Sequence, residues 1–313
     1  MNWKNKKVLI TGGSGFIGSH LTDKLVELGS DVIVLDINFG ENIKHLDGKI
    51  TFVKKDITEY NFTLPGNFDY IFHLAAYTSP SISNEEYDTA FKINVLGTYN
   101  VLKAALKIEN LKKLVFTSTA LVYGEPKYLP IDERHPVQVV DIYKTGDIYR
   151  VSKKLGEDMC TTFIREYNMP IVFLRLFNAF GPKQNMEFLI PKVILQAIKD
   201  KAVEIWTDKP TRDFVFVHDI VAALIRSAET DFIGGPINIG FGREIKVIDI
   251  AKQITNSFNA TLTVLDRQVP GSTRAWCDNS QAKKILGWEP KVSFEEGLGL
   301  TIEWFKKNSN SSE

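Results

Sequence analysis

Short apolar runs rich in β-branched residues alternate with longer amphipathic segments over the first 180 residues of the chain. The first three runs have the composition of strands: KVLITGG (7–13), DVIVLDI (31–37) and KITFVKKDI (49–57). Between the first two, SHLTDKLVELGS places Leu21, Leu25 and Leu28 on one helical face, with Gly29 where a C-terminal cap belongs. Strand, helix and strand in this order predict a βαβ unit with parallel strands.

The alternation continues to about residue 180. FDYIFHLAA, KKLVFTST and PIVFLRLFNAFG are typical of strands, and AFKINVLGTYNVLKAALKIEN and YRVSKKLGEDMCTTFIREYN are typical of helices. The strand runs are almost continuously hydrophobic, which indicates burial on both faces. The pattern therefore predicts an α/β fold with a doubly wound parallel sheet.

Beyond about residue 180 the rhythm changes to short elements and loops rich in Gly, Pro and Asp, such as TDKPTRDF. We interpret residues 1–178 as the first domain and 179–308 as a smaller C-terminal lobe. Within that lobe PINIGFG predicts a strand near 236–241 that returns to the first domain. The polar residues 309–313 are predicted to be a disordered tail.

Composition excludes some classes of partner. The 313 residues carry 38 basic and 38 acidic side chains, a balance that supports neither nucleic acid nor an anionic membrane as partner. The apolar run Val8–Ile10 is too short for a signal peptide or a membrane span, so we expect a cytoplasmic protein. Cys160 and Cys277 are far apart and belong to no CxxC or Cys/His cluster, which favours two free buried thiols and no metal site.

A glycine-rich segment, TGGSGFIG, follows the first strand directly and opens the first helix. Gly12, Gly15 and Gly18 would allow a tight turn and a close approach of the backbone to a pyrophosphate at the helix N-terminus. Asp36 ends the next strand, where a carboxylate can bind ribose hydroxyls but would repel a 2′-phosphate. Because INFGEN after Asp36 contains no Arg or Lys, the sequence favours NAD over NADP.

A candidate catalytic pair lies in YKTGDIYRVSKKLGED (143–158), where residues four apart share a helical face. Tyr149 has Lys153 at that spacing, whereas Tyr143 has Asp147. An ammonium group would lower the pKa of the Tyr149 phenol and make it a general base near neutral pH. Thirty residues upstream, Thr119 or Ser118 at the end of a buried strand could hydrogen-bond the phenol and a substrate hydroxyl.

With these motifs the chain resembles the extended short-chain dehydrogenase/reductases, in the branch of NAD-dependent nucleotide-sugar epimerases and dehydratases. The resemblance covers almost the whole chain and includes TGGSGFIGSHL, NVLGTYNVLKAA, TSTALVYG, YRVSK, LRLFNAFGP, TRDFVFVHDI and PGSTRAWCDNSQAKKILGWEP. It implies a Rossmann-type sheet with a substrate-binding C-terminal lobe, NAD as cofactor and a nucleoside-diphosphate sugar as substrate. It also implies a homodimer formed through the helices within 86–108 and 147–167.

The resemblance assigns roles to individual residues. Its catalytic set is Thr119, Tyr149 and Lys153. The cofactor-binding set is Gly12, Gly15, Phe16, Ile17, Gly18, Asp36, Asn38, Asp56, Ile57, Leu74, Ala75, Ala76 and Asn94, together with Tyr149 and Lys153. The substrate-binding set is Thr78, Ser118, Thr119, Asn178, Arg212 and Arg274, the two arginines because their forks pair with phosphate oxygens. No metal is implied, and we expect His73 to end a strand at the cofactor and Asp219 to cap a helix.

The two residues after Thr119 distinguish reactions within the branch. Related dehydratases carry Asp and Glu there and related decarboxylases keep the Glu, whereas this chain has Ala120 and Leu121, which exchange no protons. An epimerase needs no further acid or base if the keto intermediate takes the hydride back on its other face. We therefore expect an epimerase, specifically a 4-epimerase of UDP-sugars. A nucleotide-sugar dehydrogenase or keto-reductase is the alternative, and a non-enzymatic nucleotide-sensing module is a third interpretation.

Two segments depart from the family pattern. The lead-in PIDERHPVQVVDIYKTGDIY (130–149) is longer than usual, and we expect it to influence the choice of sugar. DKP in WTDKPTRDF replaces the usual Gly-containing turn close to Arg212.

Overall fold

The computed structural model describes residues 2–78, 86–138, 148–267 and 273–309. A parallel sheet of seven described strands forms its centre, in the order β11-β6-β5-β4-β1-β2-β3. The strands are β1 (Lys7–Thr11), β2 (Asp31–Asp36), β3 (Thr51–Lys54), β4 (Tyr70–His73), β5 (Lys113–Thr119), β6 (Ile171–Leu176) and β11 (Gly234–Ile239). Because β11 pairs with β6, the late strand returns to the sheet as the sequence predicts.

Helices cover both faces of this sheet, which confirms the predicted doubly wound, Rossmann-type α/β architecture. On one face α1 (Phe16–Glu27) and α6 (Val217–Glu229) pack against alternate strand residues such as Val8, Ile10 and Phe72. On the other face lie α3 (Thr98–Ala105) and α4 (Ile148–Tyr167), packed against Leu9, Ile71 and Phe116. A short helix α2 (Tyr87–Phe91) and a π-helical turn (92–97) lead into α3. Strands buried on both faces explain the continuous apolar runs.

The C-terminal part has a hydrophobic core of its own, built around Phe180, Ile194, Ile254 and Phe294. Its elements are β7 (Asn178–Phe180), α5 (Leu189–Lys199), β8 (Ala202–Ile205), β9 (Thr211–Arg212), β10 (Phe214–Phe216), β12 (Ile245–Lys246), α7 (Val247–Phe258), β13 (Thr261–Val264), α8 (Ser280–Leu286) and α9 (Phe294–Ser309). Within the described ranges, three two-stranded sheets, β10-β7, β12-β9 and β13-β8, link these elements. The division at residues 178 and 179 stays a prediction.

Several local predictions can be compared directly with the structure. Leu21 and Leu25 are buried, and Gly29 has φ +80° with its amide bonded to the Val26 carbonyl, as a C-terminal cap requires. Cys160 and Cys277 are free and buried, as predicted. The prediction that Asp219 caps a helix is wrong: it lies in the first turn of α6 and accepts hydrogen bonds from the Lys291 and Val292 amides.

Two predicted segments lie partly outside the described residues. The back half of the lead-in, which contains Tyr143 and Lys144, is one of them, and residues 310–313 of the predicted tail are the other; Ser309 still belongs to α9. The front half of the lead-in is built into the fold, since Ile131 exchanges backbone hydrogen bonds with Trp276 and Asp278. Glu133 adds a bond from the Asn238 amide of β11.

Candidate active site

A cleft of about 2010 Å³ opens at the carboxyl ends of the parallel strands. Single small-molecule sites usually occupy roughly 300–1,000 Å³, so this cleft has room for a dinucleotide and a second ligand together. Gly12, Asp36, Ala75 and Thr119 line it where β1, β2, β4 and β5 end. Doubly wound sheets bind their ligands at this edge, because the loops that follow the strands diverge there.

The glycine-rich turn leaves no room for a side chain at Gly12 or Gly18. Gly12 has φ +73°, and a Cβ atom on it would lie 2.6 Å from the Ala75 backbone nitrogen. A Cβ atom on Gly18 would lie 2.1 Å from the Gly12 carbonyl oxygen. Gly15 precedes α1 in extended conformation, and no side chain caps the first turn, which contains Phe16 and Ile17. The amides of that turn are therefore suited to a pyrophosphate, so the turn fits the predicted dinucleotide.

Asp36 faces the same turn from the end of β2. Its carboxylate accepts hydrogen bonds from the amides of Ser14 at 3.0 Å and Ile37 at 2.8 Å. Burial raises the pKa of Asp36, and these amide hydrogen bonds oppose the shift. The predicted adenosine-binding residues Asn38, Asp56 and Ile57 line the same part of the cleft.

A buried chain of polar side chains fixes the loop after β4. The Thr11 hydroxyl lies 2.7 Å from Nδ1 of His73, whose Nε2 lies 3.0 Å from the Thr98 hydroxyl. Thr98 in turn donates to the Asn94 carbonyl. Burial lowers the pKa of His73 to about 3, so this histidine is neutral, ends β4 as predicted and holds neighbouring elements together.

Asn94 does not line the cleft, in contrast to the other predicted cofactor residues. Its side chain accepts from the Tyr77 amide at 2.7 Å and donates to the Tyr77 carbonyl and the Ser152 hydroxyl. Asn94 therefore positions the loop that carries Leu74, Ala75, Ala76 and Thr78, all of which line the cleft.

Tyr149, Lys153 and Thr119 meet in the middle of the cleft. Tyr149 and Lys153 are one turn apart on α4, and Thr119 ends β5 with a side-chain hydrogen bond to the Tyr149 phenol. Lys153 is buried and donates to the Thr117 carbonyl at 2.8 Å. The Ser118 hydroxyl instead donates to Glu157 at 2.6 Å, because successive strand residues point to opposite faces. The structure thus places Thr119 beside the phenol.

The expectation that Lys153 lowers the pKa of Tyr149 is wrong for this structure. Burial raises the pKa of Tyr149 to about 12, although the Thr119 hydrogen bond opposes the shift. Burial also lowers the pKa of Lys153 to about 8, against the opposing charges of Cys160 and Glu157. The Lys153 ammonium contacts the Thr117 carbonyl and lies 5.1 Å from the centre of the Phe116 ring. The pKa of Tyr149 is therefore set by desolvation and by the Thr119 hydrogen bond, and not by the Lys153 charge that helix spacing alone suggested.

The predicted substrate residues occupy different positions. Asn178 and Arg212 line the cleft. Burial lowers the pKa of Arg212, and the charge of Glu125 opposes this shift in part. Arg274 lies outside the cleft, with its guanidinium paired to the Glu244 carboxylate on the surface. Only one of the two predicted phosphate-binding arginines is thus in place.

Some cleft residues were not predicted. Arg150, Glu125, Gln138 and the half-exposed Trp206 line the cleft as well. The segment 183–188, directly after the family motif FNAFGP, lines it as well. The position of this segment just past a strand end could have revealed it from the sequence. No motif near Trp206 marks that residue.

Two further findings limit the chemistry within the part of the chain that the structure describes. It contains no group of three or more His, Cys, Asp or Glu side chains arranged to hold a metal ion. Nor does any described helix combine the length and apolarity that crossing a bilayer requires.

The class of protein follows from this fold and cleft. The sequence model of the NAD dependent epimerase/dehydratase family matches residues 8–240, so the chain belongs to that family, within the extended short-chain dehydrogenase/reductases. NAD is its cofactor, as the sequence predicted.

Particular relatives narrow the comparison. The chain is 34% identical to UDP-glucuronic acid decarboxylase 3 of Arabidopsis thaliana, over 98% of this chain and 91% of the relative. It is 33% identical to a putative UDP-glucose 4-epimerase of Methanocaldococcus jannaschii, over 97% and 100%. Among solved structures, the UDP-glucuronic acid 4-epimerase of Bacillus cereus, in complex with UDP-glucuronic acid and NAD, has a TM-score of 0.87 at 30% identity, over 96% and 99%.

Proposed function

We propose that this enzyme is a nucleoside-diphosphate-sugar epimerase, specifically a 4-epimerase of a UDP-sugar. The observation that carries the proposal is the combination of Tyr149, Lys153 and Thr119 in one cleft with the apolar pair that follows Thr119. Ala120 and Leu121 both line the cleft, so neither of the two positions that follow Thr119 supplies an acid or a base.

The proposed reaction divides between the cofactor and these side chains. NAD supplies the hydride acceptor and, while oxidised, a positive charge that favours the phenolate form of Tyr149. Tyr149 takes the proton of a sugar hydroxyl while the hydride leaves the same carbon, which gives a keto sugar. Thr119 donates its hydrogen bond to the phenol oxygen and so directs Tyr149 toward the sugar hydroxyl. The keto sugar then rotates so that its opposite face meets the cofactor. That face takes the hydride back, and Tyr149 returns the proton.

Lys153 has an electrostatic part in this scheme. It is held between the Thr117 carbonyl and the Phe116 ring, one helical turn after Tyr149 on α4. A buried ammonium stabilises a nearby anion more strongly than it would in water. A pKa of about 8 for Lys153 leaves it mostly protonated at neutral pH.

Decarboxylation is the reaction named for several relatives of this chain, and the same two residues argue against it. The decarboxylases that the sequence resembles keep a Glu at the position of Leu121. Leu121 is 54% exposed toward the cleft side of β5 and cannot transfer a proton. We therefore favour epimerisation over decarboxylation.

The nucleotide is proposed to bind at the end of the cleft away from Tyr149. Arg212 offers a guanidinium fork for the diphosphate, and the exposed face of Trp206 offers a stacking surface for a base. Arg274 could add a second fork by exchanging Glu244 for a phosphate.

The proposal is tested by incubating the purified protein with UDP-, dTDP-, GDP- and CDP-sugars and separating the products. We expect interconversion of two sugars that differ at C4, with no net change in absorbance at the reduced-nicotinamide band. Net absorbance change with an added cofactor would support the dehydrogenase or keto-reductase instead. Release of carbon dioxide from a UDP-uronic acid would contradict the assigned role of Leu121. Absence of any product with every sugar would favour the sensing module.

The cytoplasmic location expected from the sequence and the homodimer implied by the resemblance also stay proposals. Four apolar side chains are each 38% to 46% exposed on the two helical segments that pack together here. Leu155 lies on α4, and the segment packed against α4 carries Phe91, Leu96 and Tyr99. Exposed apolar clusters of this kind mark association surfaces. Leu155→Glu should shift the protein to a monomer in analytical ultracentrifugation. Leu300→Glu, which changes an equally exposed leucine on α9, should leave the mass unchanged.

A further inference from the structure

The side chain of Lys183 joins two walls of the cleft. One is the cofactor wall, which carries the glycine-rich turn and Asp36, and the other is the segment that follows β7. Lys183 Nζ donates to Asp23 Oδ2 at 2.8 Å and to the Asn42 carbonyl at 3.0 Å. Its side chain is only 14% exposed. We call these three residues the clasp.

The two sides of the clasp belong to different walls of the cleft. Lys183 and Asn42 both line the cleft, although 141 positions separate them in the chain. On the cofactor side, the Asn42 side chain donates to the Ser14 carbonyl at 3.3 Å, and the Ser14 amide donates to Asp36. Through these two bonds the clasp is connected to the glycine-rich turn and to Asp36, the residue expected to bind the adenosine ribose.

On the other side, Lys183 opens the segment 183–188, which lines the cleft throughout. Lys183 itself has φ +66°, a conformation that L-residues other than Asn and Asp rarely adopt. Its fixed side chain holds the segment in that turn. A second contact, from His20 Nε2 to the Pro182 carbonyl at 2.9 Å, anchors the preceding residue to α1.

The Asp23 carboxylate is shared, because its other oxygen lies 2.6 Å from Nε2 of His45. Asp23 thus connects α1, the 3₁₀ helix Glu41–Leu46 and the segment after β7 through one charge. A charge-assisted hydrogen bond at a half-buried position is stronger than an exposed surface pair.

We propose that the clasp retains NAD by holding these two walls together at the adenosine end of the cleft. An enzyme that takes a hydride and returns it has to keep its cofactor through every turnover, and in this respect the inference rests on the proposed function. Departure of NAD requires the walls to separate, and separation breaks the bonds from Lys183 to Asp23 and Asn42. Lys183 is accordingly a positioning residue, remote from the reacting atoms.

The test measures release of NAD and uses no sugar, so its outcome is independent of which sugar reaction the enzyme catalyses. Protein loaded with radiolabelled NAD is diluted into excess unlabelled NAD, and the loss of bound label is followed. Lys183→Met and Asp23→Asn should each release NAD about tenfold faster than the wild type, as expected for one charge-assisted hydrogen bond. The double variant should release it no faster than the more affected single variant, because both changes remove the same contact.

Lys44→Met is the matched control, since it removes one lysine from a surface ion pair with Glu41 on the same 3₁₀ helix. It should release NAD at the wild-type rate. The proposal fails if Lys183→Met retains NAD as well as the wild type, if the Lys44 variant loses it equally fast, or if the effects of the two clasp changes multiply. Circular dichroism melting of all four variants confirms that release is compared between folded proteins.

Discussion

The two walls of the cleft are built in different ways. Backbone geometry makes most of the cofactor wall: a glycine turn that excludes Cβ atoms, amides at the start of α1, and Asp36 bound to two backbone amides. Side chains make most of the proposed substrate wall, to which β7 contributes Asn178, β9 contributes Arg212 and the segment after β8 contributes Trp206. The other arginine predicted to bind phosphate, Arg274, lies outside the cleft and is paired with Glu244.

This difference has a physical consequence for ligand choice. A backbone turn is set by steric exclusion and presents the same donors whatever the neighbouring side chains are. A wall of side chains changes its shape and charge with each rotamer or substitution. One wall is therefore suited to an invariant cofactor, and the other to substrates that vary among relatives.

The largest effect is expected at the junction of the walls. Tyr149→Phe removes the only atom proposed to carry the proton, so kcat should fall roughly 10³-fold, within the usual range for general bases. NAD should remain bound, because neither wall is changed. The rate of product formation tests the predicted fall in kcat, and the amount of bound NAD tests whether the cofactor is retained.

Tyr167→Phe, at the far end of the same helix, is the control and should keep full activity; Tyr143→Phe, in the lead-in, should retain catalysis too. If the Tyr143 variant were inactive and the Tyr149 variant active, the assignment of the base would be wrong.

The backbone character of the cofactor wall can be tested with one methyl group. Gly12→Ala should lower the free energy of unfolding by about 2 to 5 kcal/mol, from positive φ and from overlap with the Ala75 backbone. It should also abolish NAD binding. Chemical denaturation and calorimetric titration with NAD measure these effects.

Gly48→Ala separates strain from overlap. Gly48 has φ +75°, close to that of Gly12, but a Cβ atom there would meet nothing within 4 Å. We expect a loss of only about 1 to 2 kcal/mol and normal NAD binding. Equal losses at the two glycines would contradict the close-approach explanation.

The substrate wall should respond to loss of single side chains. Arg212→Met should raise KM for the nucleotide sugar roughly 10- to 100-fold, as expected for a hydrogen-bonded charge, with NAD binding unchanged. Arg274→Met should raise KM less, because the Arg274 guanidinium is already paired with Glu244. Steady-state kinetics under saturating NAD distinguish the two. A larger effect at Arg274 would mean that it leaves Glu244 and joins the substrate wall.

The smallest effect concerns the stability of the protein without cofactor. Lys153 has a pKa of about 8 when folded and 10.5 otherwise, so the unfolded chain binds more protons between these values. The contribution of Lys153 to wild-type stability therefore rises as pH increases from 8 to 10.5. Lys153→Met removes the buried charge and should stabilise the protein by about 1 to 3 kcal/mol at pH 7.

Denaturation series at pH 7 and pH 10 test this prediction, because the advantage of Lys153→Met should shrink at the higher pH. Lys154→Met is the control: Lys154 pairs with Asp158 on the surface of the same helix, and its replacement should show no such trend. A destabilised Lys153 variant at pH 7 would show that the bond to Thr117 outweighs the burial of charge.

Much of the cofactor wall could be predicted from the sequence, because its signals are local. The glycine spacing, the strand that ends at Asp36 and the pairing of Tyr149 with Lys153 each lie within a few residues or one helical turn. The structure brings these residues together with Thr119 in one cleft. The parallel sheet and its returning strand followed from runs of apolar residues, whereas the order of the strands came from the structure.

The structure departs from the sequence-based expectations where partners are remote in sequence. Asp219 binds amides 72 and 73 positions away, and Arg274 pairs with Glu244, 30 positions away. Asn94 positions the loop at Tyr77 and does not line the cleft. The predicted direction of the Tyr149 pKa shift was wrong because burial, which depends on every packed neighbour, is its largest cause.

The sequence by itself determined the parallel α/β architecture, the glycine turn and the set of residues able to exchange a proton, since each depends on local backbone preference or on a periodic apolar pattern. Only the tertiary structure decided which hydroxyl faces the phenol, which arginine enters the cleft and how Lys183 joins its two walls. Those outcomes depend on desolvation and on contacts between distant segments, and neither is encoded in the spacing of neighbouring residues.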